Sequence, residues 1–245
     1  MARSPHDARH LALFNATFGV TFALLVTGCN SITGAGDLTF SGGGSGAGNG
    51  GAGGSGTTTE TPTPTVECVY PSMGFSSDVG GVIPNHTWQG YVDDSMEVSD
   101  VSLSDFYDCA GQKGINALLI DTSAVWCGTC QQEAMTLTNK MANQWSALGI
   151  RVLTLMIDDA DPMVKATTET ALKWKTKYKL TTTTVAADPN FTMMPLAVPD
   201  GSGAIGLPFL VVVDTRTMTQ VESQQGYPFD ETKLVETAKK NQMAQ

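Results

Sequence analysis

Two cysteines separated by two residues are the part of this sequence best suited to chemistry. Cys127 and Cys130 follow the apolar run 117–120 and stand where a helix is expected to begin. Free backbone amides and the positive end of the helix dipole stabilise a thiolate at such a position. The second cysteine lies one turn further on, within reach of the first and shielded from solvent. The spacing therefore predicts a redox pair, in which Cys127 attacks a substrate disulfide and Cys130 resolves the mixed disulfide.

Two other interpretations of the pair stay open. Half of a zinc site would need two further ligands, and only Cys68, Cys109 and His86 are at hand after the N-terminal segment, at no finger-like spacing. An inert structural disulfide is the second alternative. We favour the redox pair and expect no metal or other cofactor.

The elements predicted around the cysteines are those of an α/β protein. Residues 117–121 suit a buried strand, and a helix is predicted from about Cys127 to Leu148, where Gly149 ends it. Further strands are predicted at 151–157, 185–187, 209–213 and 219–223, and further helices at 102–108, 161–178 and 230–240. This alternation predicts an α/β sandwich with a mixed sheet.

With these elements the chain resembles the thioredoxin superfamily, in particular the TlpA-like periplasmic thiol–disulfide oxidoreductases and the AhpC/TSA-like redoxin group around them. The resemblance covers roughly residues 101–240. It is carried by VSLSDFY at 101–107, LLID at 118–121, WCGTCQQE at 126–133 and GLPFLV at 206–211. It implies a thioredoxin-like three-layer sandwich, in which helices flank a mixed central sheet.

The resemblance assigns roles to two acids. Asp121 matches the buried acid of thioredoxin, whose pKa is expected to be raised by apolar surroundings and which could take the proton from Cys130. Glu133 matches an acid that follows the cysteines in the TlpA-like group and is expected to tune the pair. A solvent-facing acid at the strand end remains the alternative for Asp121, and a solvated first-turn acid the alternative for Glu133.

The resemblance also implies a substrate-binding surface. Pro208 matches the family's cis-proline, and Leu207 before it would offer backbone hydrogen bonds to an extended substrate. Trp126 is expected to form an apolar shelf over the site. A trans proline that only starts the strand and a tryptophan packed in the core are the alternatives.

Gly128 and Thr129, between the cysteines, are expected to tune the pair. Thr129 stands where thioredoxin has a proline, and this dipeptide influences the stability of the thiolate and so the redox potential. The direction of electron flow therefore stays open.

Cys68 and Cys109 remain after the pair is set aside. In an exported protein an even remainder predicts a structural disulfide between them. An auxiliary redox role and free thiols are the alternatives.

The N-terminus is predicted to be an export signal, residues 1–28. Its 16-residue apolar run, 11–26, is short for a membrane-spanning helix and suits a signal-peptide core. The ending VTGC resembles the lipobox of bacterial lipoproteins, which implies cleavage before Cys29 and an acyl anchor on it. An ordinary signal peptide or an uncleaved anchor is the alternative. Asn30, which is not an aspartate, weakly favours the outer over the inner membrane.

Residues 29–66 are predicted to be the lipidated cysteine and a flexible tether, and residues 67–245 a single thioredoxin-like domain. Twelve of the 26 glycines lie between Gly34 and Gly56, a stretch that cannot bury a core. The formal net charge of the whole chain is −10, which argues against nucleic acid as a partner.

These observations together predict a lipid-anchored, periplasm-facing thiol–disulfide oxidoreductase. Its partners would be protein disulfides or dithiols and a thiol electron donor or acceptor. The first alternative is a thiol peroxidase of the peroxiredoxin type, although the Pro-xxx-Thr-xx-Cys setting of such enzymes is missing before Cys127. A non-catalytic thioredoxin-fold binding module is the second. A Sco-type copper protein fits poorly, because it would use CxxxC and a distant histidine.

Overall fold

The computed structural model describes residues 67–198 and 203–244. The signal peptide, the lipidated Cys29 and the tether predicted for residues 1–66 lie outside these ranges. No helix within them is long and apolar enough to cross a membrane.

The described ranges contain one seven-stranded sheet and five α-helices. The strands are β1 (Thr87–Tyr91), β2 (Ser99–Ser102), β3 (Ala117–Ala124), β4 (Ile150–Asp158), β5 (Thr184–Ala187), β6 (Phe209–Asp214) and β7 (Thr219–Gln225). The helices are α1 (Leu103–Phe106), α2 (Gly128–Lys140), α3 (Thr168–Tyr178), α4 (Met194–Ala197) and α5 (Thr232–Met243). A π-helical turn at Met141–Trp145 and a 3₁₀ turn at Ser146–Leu148 extend α2.

The strand order is β2-β1-β5-β4-β3-β6-β7. Strands β3, β4 and β5 are parallel, whereas β6 and β7 add to β3 as an antiparallel pair. The chain thus runs through β3–α2–β4–α3–β5 and then through the β6–β7 hairpin to α5. This is a thioredoxin-like topology, and it confirms the predicted fold class.

The central strands are buried on both faces, which explains their nearly continuous apolar runs. On β3, Leu119 contributes to the core under α2, α3 and α5, together with Trp174 and Leu234. The next residue, Ile120, points to the opposite core, which includes Phe106 of α1. The period of two along the strand therefore divides one apolar run between two layers.

The sheet edge formed by β1 and β2 was not predicted, because residues 68–114 lack a clear pattern. The two strands form an antiparallel hairpin, and β1 also pairs with β5. A disulfide bond joins Cys68 to Cys109, with a Cα–Cα distance of 5.7 Å. This bond attaches the first described residues to the loop after α1.

The predicted start of the third helix at Asp161 is wrong. The Asp161 carboxylate accepts the amide of Met163 at 2.9 Å, so Asp161 closes a turn. The helix begins six residues later, where the Thr167 side chain accepts the amide of Thr170 at 3.3 Å. The proline after Asp161 suits a turn as well as a helix start, so the local sequence did not separate the two.

Candidate active site

The N-terminus of α2 holds the cysteine pair. After β3 ends, the amide of Val125 donates to the Asp158 carbonyl and that of Cys127 to the Ala124 carbonyl, which turns the chain into the helix. Cys127 has extended backbone angles and caps the helix, because its Sγ accepts the Cys130 amide at 3.1 Å. The two cysteines form a disulfide bond with a Cα–Cα distance of 5.3 Å.

The two cysteines differ slightly in their exposure to solvent. Cys127 is 5% exposed and Cys130 is fully buried. Gly128 and Thr129 between them are exposed, and a side chain built at Gly128 would meet no atom within 4 Å. Cys127 thus keeps a small exposed area next to the exposed Gly128 and Thr129, whereas Cys130 has none.

The loop before β6 lies against the helix N-terminus. The peptide bond between Leu207 and Pro208 is cis, and Gly206 donates its amide to Gln225 Oε1 at 2.6 Å. The Thr129 hydroxyl donates to the Leu207 carbonyl at 3.0 Å, which joins the dipeptide between the cysteines to this loop. A second cis bond, between Tyr227 and Pro228, was not expected from the sequence.

Trp126 lies at the surface beside the pair. Its side chain is 44% exposed, and its indole N–H donates to Asp158 Oδ2 at 3.3 Å. Asp158 is in turn paired with Lys165 at 2.9 Å. The hydrogen bond to Asp158 therefore holds the indole ring of Trp126 in place while the ring stays partly exposed.

Two buried carboxyl groups lie on β3 and α2, the strand and the helix on either side of the turn that holds Cys127. Asp121 is 1% exposed and accepts the hydroxyls of Ser123 at 2.8 Å and Thr154 at 3.0 Å. Burial raises its pKa to about 6, although these hydroxyls and the nearby Glu133 carboxyl lower it in part. Asp121 thus holds its proton at a pH where an exposed aspartate has lost it.

Glu133 lies one turn after Cys130, on the buried face of α2. Burial is the main cause that raises the pKa of Glu133 well above its usual value, and the neighbouring Asp121 raises it further. Neither oxygen of Glu133 has a hydrogen-bond partner of good geometry in the described part of the chain. Because two adjacent buried carboxylates repel each other, the pair retains a proton that isolated carboxyls would release.

A cavity of about 150 Å³ adjoins Glu133. Glu133 lines it together with Thr136, Lys140, Tyr227 and Phe229. The volume is large enough for a few water molecules, although most of its lining is apolar. This cavity lies beside Glu133, between α2 and the segment that leads into α5.

Sequence reasoning did not find the two hydroxyls that hold Asp121. Ser123 lies two residues along the same strand and so on the same face, a signal that the period of β-strands could have supplied. Thr154 is the residue opposite Asp121 on β4. Its place depends on the strand register, which the sequence does not specify.

The described residues contain no cluster of three or more His, Cys, Asp and Glu side chains that could hold a metal ion. His86, the remaining candidate ligand of the zinc alternative, lies beside Trp88 with ring centroids 5.8 Å apart. The four cysteines of the described chain form two disulfides, so none is left as a free thiol in this structure.

No protein-family model and no curated protein matches the sequence. Among solved structures, the chain is similar to a thiol:disulfide interchange protein DsbE from Chlorobium tepidum, with 24% identity and a TM-score of 0.46, covering 69% of this chain and 98% of that one. It is also similar to the reduced 2-Cys peroxiredoxin of Plasmodium vivax, with 16% identity and a TM-score of 0.48, covering 67% and 83%. An exposed lipoprotein thioredoxin from Streptococcus pneumoniae shows 15% identity and a TM-score of 0.45, covering 64% and 99%.

The strand order, the disulfide at the start of α2 and the cis-proline loop against it define the chain as a thioredoxin-fold protein.

Proposed function

We propose that the protein is a thiol–disulfide oxidoreductase that exchanges disulfides with protein substrates through Cys127 and Cys130. The observation that carries the proposal is the asymmetry of the pair. The first sulfur accepts a backbone amide at the N-terminus of α2 and Cys127 keeps a small exposed area, whereas Cys130 is fully buried. A structural disulfide has no need of this difference, but an attacking and a resolving thiol do.

In the reductive direction the Cys127 thiolate attacks one sulfur of a substrate disulfide. The Cys127–substrate bond forms, the substrate S–S bond breaks, and the first substrate thiolate leaves. The Cys130 thiolate then attacks Cys127 Sγ, which releases the second substrate thiolate and forms the disulfide seen here. Two electrons pass to the substrate, and a dithiol electron donor must supply them again; oxidation of a substrate dithiol is the reverse sequence.

The buried acids serve the second step. Cys130 has no solvent contact, so its proton must go to a neighbouring base before it can attack. Asp121, with a pKa of about 6, is a suitable acceptor near neutral pH. Glu133, one helical turn after Cys130, shares the proton with Asp121 and lines a small cavity.

Insulin reduction with dithiothreitol as electron donor tests the proposal. The Cys127→Ala variant is expected to lose turnover, because the attacking sulfur is gone. Cys130→Ala is expected to accumulate a mixed disulfide with the substrate, which a non-reducing gel detects. The double variant Cys68→Ser, Cys109→Ser is the control and should retain turnover, because neither cysteine belongs to β3, α2 or the loop before β6.

Full turnover by Cys127→Ala or Cys130→Ala would contradict these roles. The same variants separate the two alternative functions. Peroxide consumption that depends on Cys127, without insulin reduction, would indicate a thiol peroxidase. The absence of both activities in the wild-type protein would leave a binding module.

We further propose that the domain works outside the cytoplasm, attached to a membrane through Cys29. The support is the order of apolar run, small residues and cysteine in residues 11–29. The two disulfides are a second support, because disulfides persist mainly in oxidising compartments. The proposed position faces the periplasm, and Asn30, which is not an aspartate, weakly favours the outer over the inner membrane.

A further inference from the structure

The Thr129 hydroxyl lies between two acceptors that belong to different parts of the site. It donates to the Leu207 carbonyl at 3.0 Å, and its oxygen is 3.3 Å from Cys127 Sγ. A hydroxyl carries a single proton, so it can make only one good donor bond at a time. In the disulfide form the sulfur is neutral and is a weak acceptor, and the carbonyl receives the proton.

Reduction changes the balance between these acceptors. When the disulfide opens, Cys127 becomes the cysteine at the helix N-terminus whose thiolate is stabilised. Hydrogen bonds to a charged acceptor are roughly twice as strong as those between neutral groups. Because both acceptors lie near the same oxygen, rotation of the hydroxyl hydrogen alone transfers the bond from Leu207 to the thiolate. The Cys130 amide, at 3.1 Å, is already directed at that sulfur.

On the basis of the proposed function, we propose that the Thr129 hydroxyl is a redox-dependent gate on the Leu207 carbonyl. In the disulfide form it takes one of the two acceptor positions of the carbonyl, which makes the carbonyl a weaker acceptor for a second donor. In the dithiol form it turns to Cys127 and leaves the carbonyl free to accept a backbone N–H from an extended polypeptide segment. Extended segments bind proteins through such main-chain hydrogen bonds, and this carbonyl lies in a loop two residues before β6.

The gate makes the affinity for substrate depend on the redox state of the cysteine pair. The reduced protein binds an extended, disulfide-containing polypeptide and carries out thiol exchange with it. Once the Cys127–Cys130 disulfide has formed again, the hydroxyl returns to Leu207 and competes with the product for the carbonyl. Thr129 is thus a positioning residue that favours product release, and it also lowers the pKa of Cys127 by donating to the thiolate.

Two substitutions separate this gate from a merely structural contact. Thr129→Val keeps the shape of the side chain and removes the hydroxyl, whereas Thr129→Ser keeps the hydroxyl. Thr129 is exposed, so both variants are expected to fold. The probe is an insulin B chain with its cysteines replaced by serine, which can bind but cannot exchange disulfides. Its affinity is measured by titration calorimetry with the oxidised and the reduced form of each protein.

The wild-type protein and Thr129→Ser should bind the probe about two- to tenfold more tightly when reduced, the range expected for one net hydrogen bond. In Thr129→Val the carbonyl is free in both states, so the ratio should fall to about one, through tighter binding by the oxidised form. Thiolate absorbance at 240 nm should show a raised Cys127 pKa in Thr129→Val and a nearly unchanged one in Thr129→Ser.

The gate would be overturned if Thr129→Val showed the same ratio of reduced to oxidised affinity as the wild-type protein. A ratio of one in the wild-type protein, or failure of its reduced form to bind the probe, would overturn it as well. An unchanged Cys127 pKa in Thr129→Val would overturn the transfer of the bond to the thiolate. Insulin reduction by the wild-type protein is a separate measurement. Its loss alone would contradict the proposed function, while normal turnover without redox-dependent binding would contradict only the gate.

Discussion

Among single residues, Asp121 is expected to influence both the stability of the fold and the chemistry of the site. Its carboxyl is buried, and burial raises its pKa to about 6 despite the hydroxyls of Ser123 and Thr154. An acid with a raised pKa binds its proton more tightly in the folded state than in the unfolded state. Its contribution to stability is therefore greatest below the unfolded pKa and is lost as the pH rises from about 4 to about 6.

Asp121→Asn should consequently stabilise the protein at neutral pH. The asparagine keeps an oxygen for the two hydroxyls and carries no charge to bury. We expect the free energy of unfolding to rise by about 1–3 kcal/mol at pH 7.5 and to change little at pH 4. Urea unfolding at the two pH values measures this difference, and insulin reduction by the same variant should be slower because Cys130 has lost its base.

Asp108→Asn provides the control of opposite sign. Burial raises the pKa of Asp108, but the amides of Lys113 and Ile115 and the guanidinium of Arg216 outweigh burial and leave the pKa lowered. The stabilisation contributed by the ionised Asp108 carboxylate is present at neutral pH and is lost as the pH falls through the pKa of Asp108 in the folded state. Asp108→Asn should therefore destabilise the protein at pH 7.5. If both variants were destabilised alike, the assignment of a buried, costly charge to Asp121 would be wrong.

At the level of secondary structure, the strands were predicted better than the helix starts. The apolar runs at 117–121, 151–157 and 209–213 became β3, β4 and β6 with small changes at their ends. Buried parallel strands give a strong signal because both of their faces are apolar. A helix start depends instead on which of several nearby polar residues caps it, and Asp161 and Thr167 both had suitable side chains.

The two candidate caps can be compared directly. Thr167→Ala removes the hydroxyl that accepts the Thr170 amide at the start of α3, and should lower the free energy of unfolding by about 1 kcal/mol. Asp161→Ala removes only a bond within an exposed turn and should cost less, roughly 0.5 kcal/mol or below. Urea unfolding of both variants measures the two losses of unfolding free energy. A larger loss in Asp161→Ala would indicate that the helix begins at the earlier residue.

For the whole molecule, the main prediction concerns its attachment. A chain lipidated at Cys29 should incorporate a fatty-acid label in bacteria and partition into the detergent phase of Triton X-114. Cys29→Ala should lose the label and move to the aqueous phase, whereas the neighbouring Ser31→Ala should behave like the wild type. Insulin reduction by the Cys29→Ala variant should be unchanged, because the active-site residues all lie within residues 67–245. Label that remains in Cys29→Ala would exclude this attachment site.

The sequence by itself determined the chemistry-bearing residues and the class of fold. The spacing of Cys127 and Cys130 after an apolar run is a local property, and local patterns of this kind are readable from residue order. The order of strands and helices likewise limited the architecture to a mixed sheet covered by helices.

Only the tertiary structure decided which groups surround the pair. Thr154 meets Asp121 through the register of β3 and β4, and Thr129 meets Leu207 across 78 residues of chain. The burial of Glu133, which the sequence left open, follows from the packing of α2 on the sheet. These contacts join residues far apart in sequence, and their geometry arises only when the two cores have packed.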